Sequence, residues 1–269
     1  MHPVGSACSD HSSHNRTIAV IPARYESTRF PGKPLAELAG KPLIEHVYRR
    51  TAACQVLDGV IVATDDHRIA DAVRGFGGLV RMTATSHQSG TDRLAEVART
   101  LDHELIVNVQ GDEPLIEPTM IEQALSPLLD DPSLVMSTLR RRFERAAETR
   151  DPNVVKVVVD RQGFALYFSR SAIPFVRDPS AVSLHVAHND SRPFCYKHIG
   201  LYVYRREFLL TLADLPATPL ERAEALEQLR ALEHGYRILA VETAYDSIGV
   251  DTPEDLERVR QLMAAGARS

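Results

Sequence analysis

Cysteine is scarce in this chain. The three residues, Cys8, Cys54 and Cys195, are odd in number and widely spaced. That excludes a disulfide framework and a cysteine-rich zinc site, and points to a reducing compartment, taken here as the cytoplasm. No run of about 18 apolar residues occurs, so no membrane span and no membrane partner are expected. Basic residues are not in excess: 31 Lys and Arg stand against 36 Asp and Glu, a net charge of −5, which argues against nucleic acid as a partner. Residues 1–16, MHPVGSACSDHSSHNR, lack the apolar core of a secretory signal and read as a flexible tail. No Ser-His-Asp or Cys-His arrangement is legible from spacing. What remains, with 44% hydrophobic and 25% charged residues over 269 positions, suffices for one core-bearing domain, placed at 17–269.

The organisation follows from apolar periodicity. TIAVIPA (17–23), DGVIVATDD, GLVRMT and HELIVNVQGD are short apolar runs without alternation, the pattern of buried strands. Between them, KPLIEHVYRRTAAC, HRIADAVRGFG and TDRLAEVARTL read as helices. Alternating buried strands and helices mean a parallel sheet in an α/β fold. NVVKVVVDRQGFALYFSR (153–170) reads instead as two strands around Arg161-Gln162-Gly163, so an antiparallel insertion is expected at about 150–205. Residues 176–197 are polar and irregular, and HIGLYVYRREFLLTL returns to strand then helix. Thr218-Pro219-Leu220-Glu221 is a capping box opening one helix that closes at Gly235. RILAVET is a strand, and Thr252-Pro253-Glu254-Asp255 opens the last helix.

In an open parallel sheet, ligands bind beyond the carboxyl ends of strands. After the first strand come Ala23, Arg24, Arg29 and Lys33. The loop has no GxGxxG pattern, and Pro34 after Lys33 excludes a Walker A loop. Two guanidinium forks and an ammonium suit a nucleoside triphosphate with its roughly four negative charges. A solvated basic loop is the competing reading, and the position after strand one favours the ligand. The letters GKPL occur twice, at Gly32–Leu35 and Gly40–Leu43. Lys33 ends the basic loop. Lys41 precedes a helix whose first residue is expected to be Pro42, so it should point to solvent.

Gln110-Gly111-Asp112-Glu113 follows a strong strand, and an acid there suits Mg²⁺, which takes few carboxylates. Asp251 lies just before the last capped helix. Thr64-Asp65-Asp66 ends another strand. Ser89-Gly90-Thr91-Asp92-Arg93 is a helix N-terminus suited to an anion or a base edge, although plain capping explains it almost as well. His198, in a strand-like context, reads on its own as structural.

Together IPARYESTRFPGKPL, VATDD, HQSGTDRLAE, NVQGDEPLI, ALYFSRSAIPF, HIGLYVY, LEQLR and GVDTPEDLERV resemble the 3-deoxy-manno-octulosonate cytidylyltransferase (CMP-Kdo synthetase) family, in order from about Ile18 to Met263. The stretch 178–194 departs from the pattern. The resemblance implies a three-layer, mostly parallel twisted sheet with helices on both faces, of the nucleotide-diphospho-sugar transferase type. It implies the reaction of CTP with Kdo, an acidic eight-carbon sugar of lipopolysaccharide, to give CMP-Kdo and diphosphate with Mg²⁺. It implies metal ligation by Asp112 and Asp251, and catalysis by these two with Arg24 and Lys33. It implies nucleotide binding by Ala23, Arg24, Arg29, Lys33, Ser89, Gly90, Thr91, Arg93 and Gln110. It implies sugar binding by Gln110, Arg177, His198, Tyr202, Glu227 and Gln228, and a homodimer formed through the insertion.

Three other readings compete. A cytidylyltransferase for another acidic sugar, such as an N-acylneuraminate, would share the first loop and differ in the sugar pocket. A dehydrogenase needs a glycine-rich turn where Arg24 to Lys33 stand. A non-catalytic nucleotide-binding module would not need Asp251.

Overall fold

The computed structural model describes residues 17–27, 29–87, 89–177 and 195–266. The expected tail 1–16 and the irregular stretch 178–194 lie outside the described residues. The first apolar run forms β1 (Thr17–Ala23). Its side chains divide by parity: Ile18 and Val20 enter one core, Ala19 and Ile21 the other. Both faces of the strand are therefore buried, which is why the run shows no polar alternation.

The chain continues through two-residue strands β2 (Glu37–Leu38) and β3 (Lys41–Pro42), then α1 (Leu43–Ala52), β4 (Gly59–Thr64), α2 (His67–Gly75), β5 (Leu79–Met82), α3 (Gly90–Ala98) and β6 (Leu105–Asn108). Next come α4 (Pro118–Asp130), β7 (Met136–Arg141), β8 (Lys156–Val159), β9 (Ala165–Ser169) and β10 (Tyr196–Arg205). The last elements are α5 (Arg206–Asp214), α6 (Pro219–Glu224), α7 (Gln228–Glu233), β11 (Leu239–Glu242) and α8 (Pro253–Gly266). The main sheet runs β11-β7-β10-β6-β1-β4-β5. Along this path β10 alone is antiparallel, pairing in that sense with both β6 and β7. Side chains of α1, α2, α4 and α8 bury against one face. Those of α3, α5 and α7 bury against the other. The result is the expected three-layer, mostly parallel α/β architecture.

The expected hairpin is present as antiparallel β8–β9, and β8 joins the sheet at the start of β10. The end of the 150–205 segment is β10 itself, which fills the middle of the sheet. Helix α4 and strand β7 are additional to the elements read from the sequence.

Two expectations are corrected. Pro42 is the N-cap of α1, not its first helical residue, because Lys41–Pro42 pairs with Glu37–Leu38 as a small antiparallel ladder. Lys41 is exposed, as expected, with its Nζ 3.4 Å from Glu45 Oε1. The single helix expected over 218–235 is two, α6 and α7, separated at Ala225, whose φ is 51°. The break is held by tertiary contacts. The Glu224 carboxylate accepts from Ser169 Oγ at 2.6 Å and from the Arg170 backbone N–H at 2.8 Å. Arg170 Nε donates to the Glu224 carbonyl at 2.8 Å, satisfying a helix-end acceptor. These bonds outweigh local helix propensity.

Candidate active site

The loop after β1 is shaped before it is charged. Gly32 has φ of 72° and its N–H donates to the Tyr25 carbonyl at 2.9 Å. A Cβ on Gly32 would lie 3.1 Å from the Tyr25 ring. The Arg68 guanidinium covers that ring, 3.3 Å from its centroid. The loop therefore returns on itself and presents Lys33, half-buried, at the carboxyl edge of the sheet.

There Lys33 meets two acids from distant parts of the chain. Its Nζ lies 2.6 Å from Asp112 Oδ2 and 3.2 Å from Asp251 Oδ1, and Arg29 Nη2 lies 3.0 Å from Asp251 Oδ2. The acids are locked together through the backbone, since the Val250 N–H donates to the Asp112 carbonyl at 2.9 Å. Gly111, before Asp112, passes so close to β1 that a Cβ would stand 2.7 Å from the Pro22 carbonyl oxygen. Asp251 is set by the start of α8, where Thr252 N donates to Asp255 Oδ2 at 3.0 Å and Asp255 N to Thr252 Oγ1 at 3.2 Å. Among the described residues no cluster of three or more His, Cys, Asp or Glu side chains is arranged for a metal.

Two adjoining cavities open here, of about 560 Å³ and 940 Å³. Arg29, Gln110, Asp112, Tyr202, Gln228 and Asp251 line both. The first also receives Ala23, Arg24, Lys33, Ser89, Gly90, Thr91, Arg93 and Glu227. Arg24 is exposed and makes no ion pair among the described residues. Ser89 caps α3 with a reciprocal Asp92 box. Arg93 is buried, bonded to Thr83 and held 2.7 Å from Asp65 Oδ2, so the acid after β4 serves to fix this arginine. The next acid, Asp66, caps α2 through the Arg68 N–H at 2.8 Å. Thr91 Oγ1 donates to Glu227, tying the start of α3 to the break between α6 and α7.

The second cavity brings in His198. Its Nε2 and Thr138 Oγ1 are 2.9 Å apart, and the threonine hydroxyl reaches the Leu201 carbonyl at 2.8 Å. The hydroxyl has one proton, which the carbonyl takes, so Nε2–H donates to Thr138 and Nδ1 is the ring's acceptor. Burial pushes the imidazole pKa down to about 3, so the ring is neutral at pH 7. Burial likewise raises the Tyr202 phenol well above its ordinary value. Gln110 Nε2 donates to the Gly200 carbonyl at 3.0 Å, beside an irregularity in the β10–β7 register. The Gln228 side chain is buried and its Nε2 has no hydrogen-bond partner among the described residues.

Arg177 is exposed and lines neither cavity. Four further lining residues bear on the chemistry although the sequence reading assigned them no site role. Asn108, buried at the end of β6, borders the first cavity, and its Oδ1 has no partner among the described residues; an amide inside the apolar run LIVNV was the available signal. Glu113 in the second cavity is buried, and desolvation, then Asp112 beside it, raises its carboxyl pKa to about 7. Arg170 and Lys197 line the same cavity, Lys197 with its Nζ 2.6 Å from Asp246 Oδ1. Arg170 lies within the quoted segment ALYFSRSAIPF, whereas Lys197 had no motif to mark it.

Comparison with known proteins agrees with this geometry. Residues 18–238 match a family model described as cytidylyltransferase. The chain is 60% identical over 245 residues to the 3-deoxy-manno-octulosonate cytidylyltransferase of Geobacter sulfurreducens, covering 91% of this chain and 98% of that protein. It is 61% identical over 245 residues to the protein of the same name from Syntrophotalea carbinolica, covering 90% and 96%. Among solved structures it is similar to a CMP:2-keto-3-deoxy-manno-octonic acid synthetase complexed with CTP, at 45% identity and a TM-score of 0.85, over 93% of this chain and 99% of that one.

Proposed function

The chain belongs to the 3-deoxy-manno-octulosonate cytidylyltransferase family, and from that premise we propose how its two cavities divide the work. It is a nucleotidyltransferase that activates Kdo with CTP, giving CMP-Kdo and diphosphate. The first cavity takes CTP and the second takes the sugar. The observation that carries this reading is the shared wall: Gln110, Asp112 and Asp251 border both spaces, so the α-phosphorus and the sugar meet there. The bond formed joins the anomeric oxygen to the α-phosphorus. The bond broken links that phosphorus to the α–β bridging oxygen, diphosphate leaves, and the hydroxyl proton passes to solvent. No covalent enzyme intermediate is involved, so catalysis is positioning and charge neutralisation.

Arg24, Arg29 and Lys33 bind the triphosphate oxygens. Ser89, Gly90 and Thr91, at the N-terminus of α3, with Arg93 and Ala23, border the cytidine. Asp112 and Asp251 would hold Mg²⁺. The fit rests on the ammonium already seated between the two carboxylates and on Mg²⁺ taking few protein ligands. When bound, the cation neutralises triphosphate charge and lowers the pKa of the sugar hydroxyl. His198, neutral with Nδ1 as acceptor, receives a sugar hydroxyl, and Gln110, Tyr202, Glu227 and Gln228 supply further bonds. Arg177 lines neither cavity, and its role toward the sugar carboxylate rests on the family resemblance alone. Homodimerisation through the insertion is supported by the exposed apolar Leu166 and Phe175. A CTP-consuming enzyme fits the cytoplasm, and no helix among the described residues is long and apolar enough to cross a membrane.

The test is diphosphate release with CTP, Mg²⁺ and either Kdo or N-acetylneuraminate. Release with Kdo is expected. Release with N-acetylneuraminate alone would sink the assignment.

A further inference from the structure

One wall of the second cavity is held by a charge that sees no solvent. Lys156, in β8, is completely buried. Its Nζ donates to three backbone carbonyls, those of Asp151 at 2.8 Å, Val154 at 2.6 Å and Arg170 at 2.5 Å. An ammonium has three N–H bonds, so its donors are fully used. Burying that charge is costly, and desolvation lowers the lysine's pKa. An apolar side chain would fill the same space without the cost. What the ammonium adds is a three-way tie between chain segments.

All three gripped residues, Asp151, Val154 and Arg170, line the second cavity. Two precede β8 and the third follows β9, so one nitrogen sets the spacing across the mouth of the hairpin. Arg170 is gripped again from the opposite side. Its N–H and guanidinium bond Glu224, after which the chain breaks at Ala225 and delivers Glu227 and Gln228. Lys156, Arg170 and Glu224 thus form one continuous strut from β8 to that break.

We propose that Lys156 is a positioning residue for the sugar, acting through the Arg170 peptide and Glu224 on Gln228 and on the cavity wall at 151–154. The inference rests on the second cavity being the sugar compartment. Lys156 touches no substrate, and its effect falls chiefly on the sugar, because all three residues it grips border the second cavity and none borders the first, while Gln228 borders both.

The experiment is steady-state diphosphate release by the full chain, wild type, Lys156→Met and Glu224→Gln, varying each substrate in turn. Wild-type turnover with CTP and Kdo tests the functional reading by itself, before any variant is compared. In Lys156→Met the KM for Kdo should rise about tenfold or more, the KM for CTP should stay within about twofold, and kcat should fall less than the sugar KM rises. A purely structural lysine would lower the melting temperature and the active fraction while leaving both KM values unchanged. That result, or an equal rise in both, overturns the proposal. If Lys156→Met yields no folded protein, Glu224→Gln decides, since it loosens the other grip on Arg170. A sugar-selective rise supports the strut, and unchanged or unselective constants overturn it.

Discussion

Lys33 and Asp112 are separated by 79 positions in the chain and by 2.6 Å in space. The same ammonium also contacts Asp251, so one cation joins the loop after β1, the turn after β6 and the start of α8. The two copies of GKPL can therefore be told apart by experiment. Lys33→Ala should cut turnover by roughly a hundredfold, because it removes a phosphate ligand and leaves two carboxylates facing each other. Lys41, itself exposed, makes a long contact with Glu45, which Arg49 also holds at 2.7 Å. Lys41→Ala should leave turnover within about twofold and change stability by roughly 0.5 kcal/mol or less. The reverse ranking in a diphosphate-release assay would show that the wrong lysine has been assigned.

Asp112→Asn and Asp251→Asn should each lower kcat by about two orders of magnitude or more, with circular dichroism unchanged. Each variant weakens one partly exposed ion pair with Lys33, worth about 1 kcal/mol or less, so the melting temperature should move little. Added Mg²⁺ should restore part of the activity if the lost charge weakens cation binding. Near-normal turnover in either variant would contradict a two-carboxylate site.

Gly111→Ala tests the close approach that seats Asp112. The new Cβ would meet the Pro22 carbonyl at 2.7 Å, and a backbone oxygen of the central strand has little room to yield. A loss of about 1–3 kcal/mol in chemical denaturation is expected, with a fall in activity larger than the stability loss explains. A variant with native stability would mean that β1 and the turn after β6 are less tightly apposed.

His198 gives the fold a signed pH dependence. Its imidazole is depressed to about 3 in the folded chain, against about 6.5 when unfolded. Between those values the unfolded state binds the extra proton. Its contribution to stability is thus complete above pH 6.5 and is lost progressively as pH falls toward 3, on the order of 5 kcal/mol in all. His198→Asn should flatten the stability profile over that window in urea melts at stepped pH. An unchanged slope would place the titration elsewhere.

Much of this was legible in sequence because the physics was local. Buried runs such as TIAVIPA announce a central strand, and the Thr252–Asp255 box announces α8. The cation loop and both acids stood at chain positions where a parallel sheet must bind its ligands. What escaped depends on contacts between distant segments. Nothing in TPLERAEALEQLRALEHG signals a break at Ala225, because Arg170 and Ser169 make it. Arg93 reads as a free cation until Asp65 is found against it. Lys156 lies in an apolar stretch that predicts only a strand, and its three acceptors are visible only once the hairpin is folded.

The place of β10 bears on how the chain is made. β6 and β7 are separated in the sheet by a strand that begins at Tyr196, well after both. A nascent chain that has exposed only residues up to 195 has β1, β4, β5 and β6 on one side and β7 on the other, with nothing to pair them. The central sheet can close only when Arg205 has left the ribosome, and β11 then completes the far edge on β7. Until that moment the facing edges of β6 and β7 are open to other chains, so the interval between synthesis of residue 141 and residue 205 is when this protein most needs protection from aggregation.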